Sequence, residues 1–134
     1  MENRRTFLGL AAAAALLPID LDAQTSAAQP AGQLARHALT GPLEGFEAVL
    51  TLVASQPGAP NRTHRHTGFV LGYVLEGQLR FGINNEPERV VPAGSTFFEP
   101  IGALHSTNGA TPDGPARFLA FLVVPKGSPV VAPD

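Results

Sequence analysis

Residues 58–77 read GAPNRTHRHTGFVLGYVLEG, and residues 94–105 read GSTFFEPIGALH. In the first stretch, His64, Arg65 and His66 form a His-x-His step between two glycine turns, Gly58 and Gly77. Side chains at i and i+2 of a β-strand point to one face, so His64 and His66 aim two imidazoles at a single point. The second stretch turns at Pro100, Ile101 and Gly102 and then supplies His105, 39 residues after His66. Only four histidines occur in the chain, and these two blocks hold three of them; His37 lies outside both and is expected on the surface.

Outward from these blocks the pattern stays β-like. Residues 46–53 (FEAVLTLV) are apolar and β-rich, and residues 56–61 (QPGAPN) form a loop. Residues 62–66 read as a short strand and 69–75 as a longer one, turned by Glu76 and Gly77. Leu79 and Phe81 alternate with Arg80 and Gly82, and Asn84-Asn85 marks a hairpin. Residues 89–91, 96–98 and 105–108 follow as short strands, a polar loop spans 108–115, and RFLAFLVV (117–124) is the last clear strand. Residues 125–134 are a proline-rich tail with the character of an edge strand. No segment after residue 30 carries a helical period, and eight or nine short, evenly spaced strands imply an all-β sandwich or small barrel.

Composition narrows the function classes. At 134 residues the chain holds one domain. A net charge of −2 without a basic stripe gives nucleic-acid binding no electrostatic support. The absence of cysteine removes disulfides, thiol nucleophiles and zinc–thiolate sites. Imidazole remains as the metal-binding group, and it suits Fe, Zn, Ni, Cu and Mn. Two histidines from one strand and a third from a neighbour would form a facial set with positions left open for a small-molecule substrate or ligand.

The paired blocks, Gly58-x5-His64-x-His66-x3-Val70-x6-Gly77 and Gly94-x5-Pro100-x-Gly102-x2-His105, resemble the two motifs of the cupin superfamily. Within it the chain is similar to small single-domain (cupin type-2) bacterial proteins, in the segments 64–68, 73–77 and 99–105. The resemblance covers roughly residues 40–125. It implies a single-domain cupin jelly roll, or double-stranded β-helix barrel, over residues 34–127 with a tail at 128–134. It also implies one divalent transition metal held by His64, His66 and His105, with Fe(II) favoured and Mn, Ni, Cu or Zn as the other choices.

Cupins commonly place a glutamate ligand three or four residues after the second histidine, where this chain has Val70 and Leu71. An asparagine often ends the second motif, and Asn108 stands one residue early for it. Glu99 is the candidate replacement carboxylate: turned inward it is a fourth ligand or a general base with a raised pKa, turned outward a surface group. Tyr73 is a candidate hydrogen-bond donor in the cavity, and Arg62, on the histidines' face by parity, a candidate partner for a substrate carboxylate.

Residues 1–28 are expected to be a signal peptide. Arg4 and Arg5 precede an apolar run, residues 7–17, which as a helix spans roughly 16 Å against about 30 Å of hydrocarbon core. That is too short for a stable membrane anchor, and small residues suited to cleavage follow. The run NRRTFL (3–8) resembles a bacterial twin-arginine signal, with Asn3 and Gly9 as departures. The expected location is therefore periplasmic or secreted.

By analogy with three-histidine cupins, the expected function is an enzyme on a small oxygen-rich or carbonyl-containing molecule, with dioxygenase-like chemistry and Glu99 as its base. A non-catalytic metal- or ligand-binding module and a metal-dependent isomerase or decarboxylase are the other two readings. A jelly roll has sheet edges to hide, which makes a homodimer one expected assembly.

Overall fold

The computed structural model describes residues 30–133. Its strands are β1 (Gly32–Ala38), β2 (Phe46–Ser55), β3 (His64–Arg65), β4 (Phe69–Glu76), β5 (Gln78–Ile83), β6 (Arg89–Pro92), β7 (Thr96–Glu99), β8 (Leu104–Thr107) and β9 (Ala116–Pro125). A five-stranded sheet, β1-β2-β9-β4-β7, faces a four-stranded one, β3-β8-β5-β6, and every pairing within them is antiparallel. This is the expected all-β jelly roll; the only helical element among the described residues is a 3-10 turn at Gly41–Leu43.

Alternation along the strands builds the interior. On β9, Ala116, Phe118, Ala120, Leu122 and Val124 are buried while their neighbours face outward. Val70 and Val74 of β4, Leu79 and Phe81 of β5, Val91 of β6 and Phe97 of β7 complete a shared core. The turns lie where the glycines were read. Gly77 takes φ +72°, a left-handed conformation open to glycine at little cost, and its position admits no Cβ because Pro115 O would lie 2.1 Å away. Asn84, φ 52°, turns β5 into β6, and its side chain accepts from Leu104 N at 3.0 Å, which ties that hairpin to β8.

Gly72 is required for space. It stands opposite Phe97 in the β4–β7 register, and a Cβ there would meet the Phe97 ring at 2.0–2.4 Å. That ring packs at 4.9 Å against Phe81 and 5.6 Å against Phe118. Gly72→Val is therefore expected to overpack the core and lower stability by about 1–3 kcal/mol, read as a fall in the urea midpoint.

One segment differs from expectation. The strand read at 62–66 is regular only over His64–Arg65, because Arg62 and Thr63 belong to the preceding loop. The tail, read with the character of an edge strand, bridges to the β3 segment. It crosses β3, with Ala132 N donating to Arg65 O at 2.8 Å, Thr67 N to Val130 O at 3.3 Å, and Val131 bridging His66. The signal-peptide reading of residues 1–28 lies outside the described residues.

Candidate metal centre

His64 and His105 are direct register partners across β3 and β8, and His66 lies one step further along. The i, i+2 spacing turns His64 and His66 to one side, and cross-strand pairing brings His105 to them. One ring nitrogen from each of the three histidines lies within 4.8 Å of the others. The Pro100–Ala103 turn, closed by Ala103 N donating to Pro100 O at 3.1 Å, delivers β8 to this place, with Gly102 at φ +75°.

Each ring of the His-x-His step is oriented by a backbone carbonyl. His64 Nδ1 lies 2.8 Å from Arg62 O, and His66 Nδ1 lies 2.8 Å from Val130 O. A carbonyl only accepts, so both Nδ1 atoms carry protons and both rings present Nε2. The two Nε2 atoms are 3.0 Å apart. As neutral rings they direct lone pairs at one another, and a cation between them relieves the repulsion. Two nitrogens each about 2.1 Å from one ion stand about 3.0 Å apart at a right angle, so the spacing fits a shared metal ion.

Glu99 faces inward and is 2% exposed. Its Oε1 lies 3.3 Å from His105 Nδ1 and its Oε2 lies 3.6 Å from His66 Nε2. Glu99 Oε2 and both nitrogens of His105 are buried without a hydrogen-bond partner. An unsatisfied buried polar atom costs roughly 1–3 kcal/mol, so a cluster of them around one point fits a site built for an ion. Burial pushes Glu99 up to about 7 and His105 down to about 4, and it also lowers His66. The His66 and His105 imidazoles are thereby favoured in the neutral, ligating form. A divalent cation would draw the Glu99 proton off.

Glu99 stands directly opposite Val70 in the β4–β7 register. The carboxylate absent from β4 is thus presented from the adjacent strand, beside the place where Val70 points inward. Asn108 is also in place: its Nδ2 donates to Arg62 O at 3.0 Å, the carbonyl that holds His64, and its backbone N donates to Asn61 Oδ1 at 2.9 Å.

The structure places the two candidate substrate contacts, Tyr73 and Arg62, outside the cavity lining. Tyr73 is 45% exposed, because Val70, Gly72 and Val74 take the inner face of β4. Arg62 sits in the loop before β3, where strand parity no longer applies, and its exposed side chain does not line the cavity. Asn61 and the Val130 carbonyl were not anticipated, since one lies in a polar loop and the other in a tail without a periodic pattern. Loss of an outer-shell partner typically lowers metal affinity 10–100-fold. Deletion of residues 129–134 is accordingly expected to weaken metal binding at least tenfold, measured by competition with a chromophoric chelator.

The three histidines and Glu99 open onto a cavity of about 380 Å³ between the sheets, walled by Val70, Phe97, Phe118 and Leu122. A double-stranded β-barrel with three converging histidines defines a class of protein, and comparison with known sequences names it. The Cupin domain family matches residues 51–124, and the chain belongs to that family. No curated protein matches the chain. Among solved structures it is similar to a double-stranded β-helix protein from Klebsiella pneumoniae, with 19% identity and a TM-score of 0.57 over 81% of this chain and 89% of that one. It is also similar to the oxalate decarboxylase of Bacillus subtilis, a protein with Mn(II) centres, at 26% identity and a TM-score of 0.50 over 63% of this chain and 22% of that one. The Fe(II) form of HppE matches at 20% identity and a TM-score of 0.50, over 66% of this chain and 56% of that one.

Proposed function

We propose that this chain is an exported, metal-dependent cupin enzyme acting on a small carbonyl-containing molecule that chelates the metal through its oxygens. The observation that carries the reading is the convergence of His64, His66 and His105 with the buried carboxyl of Glu99 at the wall of a largely apolar cavity. A divalent ion held by the three histidines would supply Lewis acidity and a template, and Fe(II), the favoured metal, would add oxygen chemistry. Glu99, buried beside the histidines and a carboxylate once an ion is bound, would take the proton from an enolisable carbon. The apolar wall keeps water from the reacting centre.

The test starts with metal content of the untagged domain, purified without chelators, followed by oxygen uptake on adding dicarbonyl or catecholic compounds. About one metal per chain with oxygen uptake supports dioxygenase-like chemistry. Conversion under strict anaerobiosis supports the isomerase or decarboxylase reading, for which similarity to a Mn(II) decarboxylase speaks. Tight ligand binding without turnover makes the protein a binding module, and a chain that takes up no metal overturns the proposal.

Export rests on the sequence of residues 1–28. Replacing Arg4 and Arg5 together by lysine is expected to abolish appearance of the cleaved protein in the periplasm. Fractionation of a bacterial host checks it, and undiminished export of the variant would remove the twin-arginine route.

A further inference from the structure

The cavity above the metal centre selects against charge. Among the described residues that line it there is no lysine or arginine. Arg62 and Lys126 are exposed and lie outside that lining, and the other arginines among the described residues have partners. Arg36 pairs with Glu47, Arg65 donates to Gly102 O, and Arg80 pairs with Glu88 at 2.9 Å. Arg89 lies over the Phe81 ring at 4.8 Å, and Arg117 pairs with Glu76 at 3.2 Å. The one ionisable lining group beside the histidines is Glu99, itself an acid. A second anionic group held inside would meet that carboxyl, apolar wall or neutral polar groups, with no cation in the lining to replace its water.

The polar features that remain are neutral. Thr51, Ser55 and Asn108 line part of the cavity. The Ser55 hydroxyl accepts from Ala110 N at 2.9 Å and keeps its own proton to donate. Opposed to this strip is apolar wall, to which the tail adds Val130 and Val131.

We infer that the substrate is single-headed: its only negative charge lies on the chelating oxygens that reach the histidines, and the rest is an uncharged, largely apolar body. This deepens the proposed function and rests on it. Alkyl- or aryl-substituted dicarbonyls and hydroxyketones belong to the class, whereas sugar acids, sugar phosphates and dicarboxylates such as oxalate fall outside it.

The experiment is a calorimetric titration of Mn(II)-loaded protein with 1-phenylbutane-1,3-dione, its para-carboxylate and oxalate, metal content being measured separately. The neutral-bodied diketone is expected to bind at least tenfold more tightly than either of the other two. Val131→Arg, at an exposed position of the tail, places a cation at the wall and is expected to narrow or reverse the gap between the two diketones. Val53→Phe, from the cavity wall of β2, is expected to keep the metal and weaken the phenyl diketone at least tenfold. Metal-loaded protein that binds the carboxylate or oxalate as tightly as the diketone, or a Val53→Phe protein with unchanged affinity, overturns the inference alone. Protein that loads no metal overturns the metal reading and the inference with it.

Discussion

A His64→Ala, His105→Ala protein loses its metal and stays folded. The two histidines are register partners across β3 and β8, and their removal takes two of three converging imidazoles from the site. Loss of a mere outer-shell partner lowers metal affinity by about 10–100-fold, so losing two ligands should lower it by more than about 100-fold. The fold is not expected to follow. His64 is only partly buried, and His105 is a buried group whose two ring nitrogens have no hydrogen-bond partner in the apo chain. Removing a buried polar group without a partner relieves a desolvation penalty while leaving a small cavity, and the two effects oppose each other. Metal analysis beside a urea melt of apo protein separates the outcomes. Undiminished metal content would remove the site, and a collapsed melt would assign the histidines to structure.

Glu99→Gln should stabilise the apo protein in alkali and loosen its metal. Glu99 holds its proton in the folded chain up to about pH 7, against 4.5 for an ordinary glutamate carboxyl. Between those values the folded state binds more protons than the unfolded one, so this contribution to stability falls as pH rises and is fully lost above 7. His105 has the opposite sign: its folded value of about 4 lies below 6.5, so its contribution rises with pH across that interval. The two offset one another between about pH 4.5 and 6.5, and the fall due to Glu99 stands alone above it. A shift from 4.5 to about 7 corresponds to about 3 kcal/mol. At pH 8 the apo Gln variant is therefore expected to exceed the parent by up to about that amount, and to match it near pH 4. In the loaded protein the order reverses. The parent, with a carboxylate beside the ion, should hold Mn(II) or Fe(II) at least tenfold more tightly. Urea melts at several pH values and a chelator competition provide both readouts. An apo variant with the parent's pH profile would mean that Glu99 is not the group that titrates.

Local spacing made part of this protein legible. The His-x-His step needs only the twofold alternation of a strand, and the turns at Gly77 and Pro100–Gly102 need only backbone conformations that few residues adopt. From these, with the apolar alternation of residues 117–124, the all-β barrel and the three histidines could be read directly. Glu99 could not be oriented that way. Phe97 and Phe98 are both apolar, one at 3% and the other at 50% exposure, so the pattern on β7 does not say which face is the interior. Pairing with Val70 decides it. The same ambiguity explains Tyr73, since β4 carries apolar Leu71 and Leu75 on its outer face as well as Val70 and Val74 on its inner one. Arg62 was misplaced because parity was carried past the end of the strand.

By itself the sequence determined the elements, their turns and the three imidazoles, because those depend on neighbours a few residues apart. Only the tertiary structure decided that Glu99 stands beside the histidines, that the carbonyl of Val130, 64 residues from His66, sets that ring's tautomer, and that among the described residues no lysine or arginine lines the cavity. Each of these is a contact between distant segments, and its geometry comes from how two sheets pack and pair rather than from any local preference.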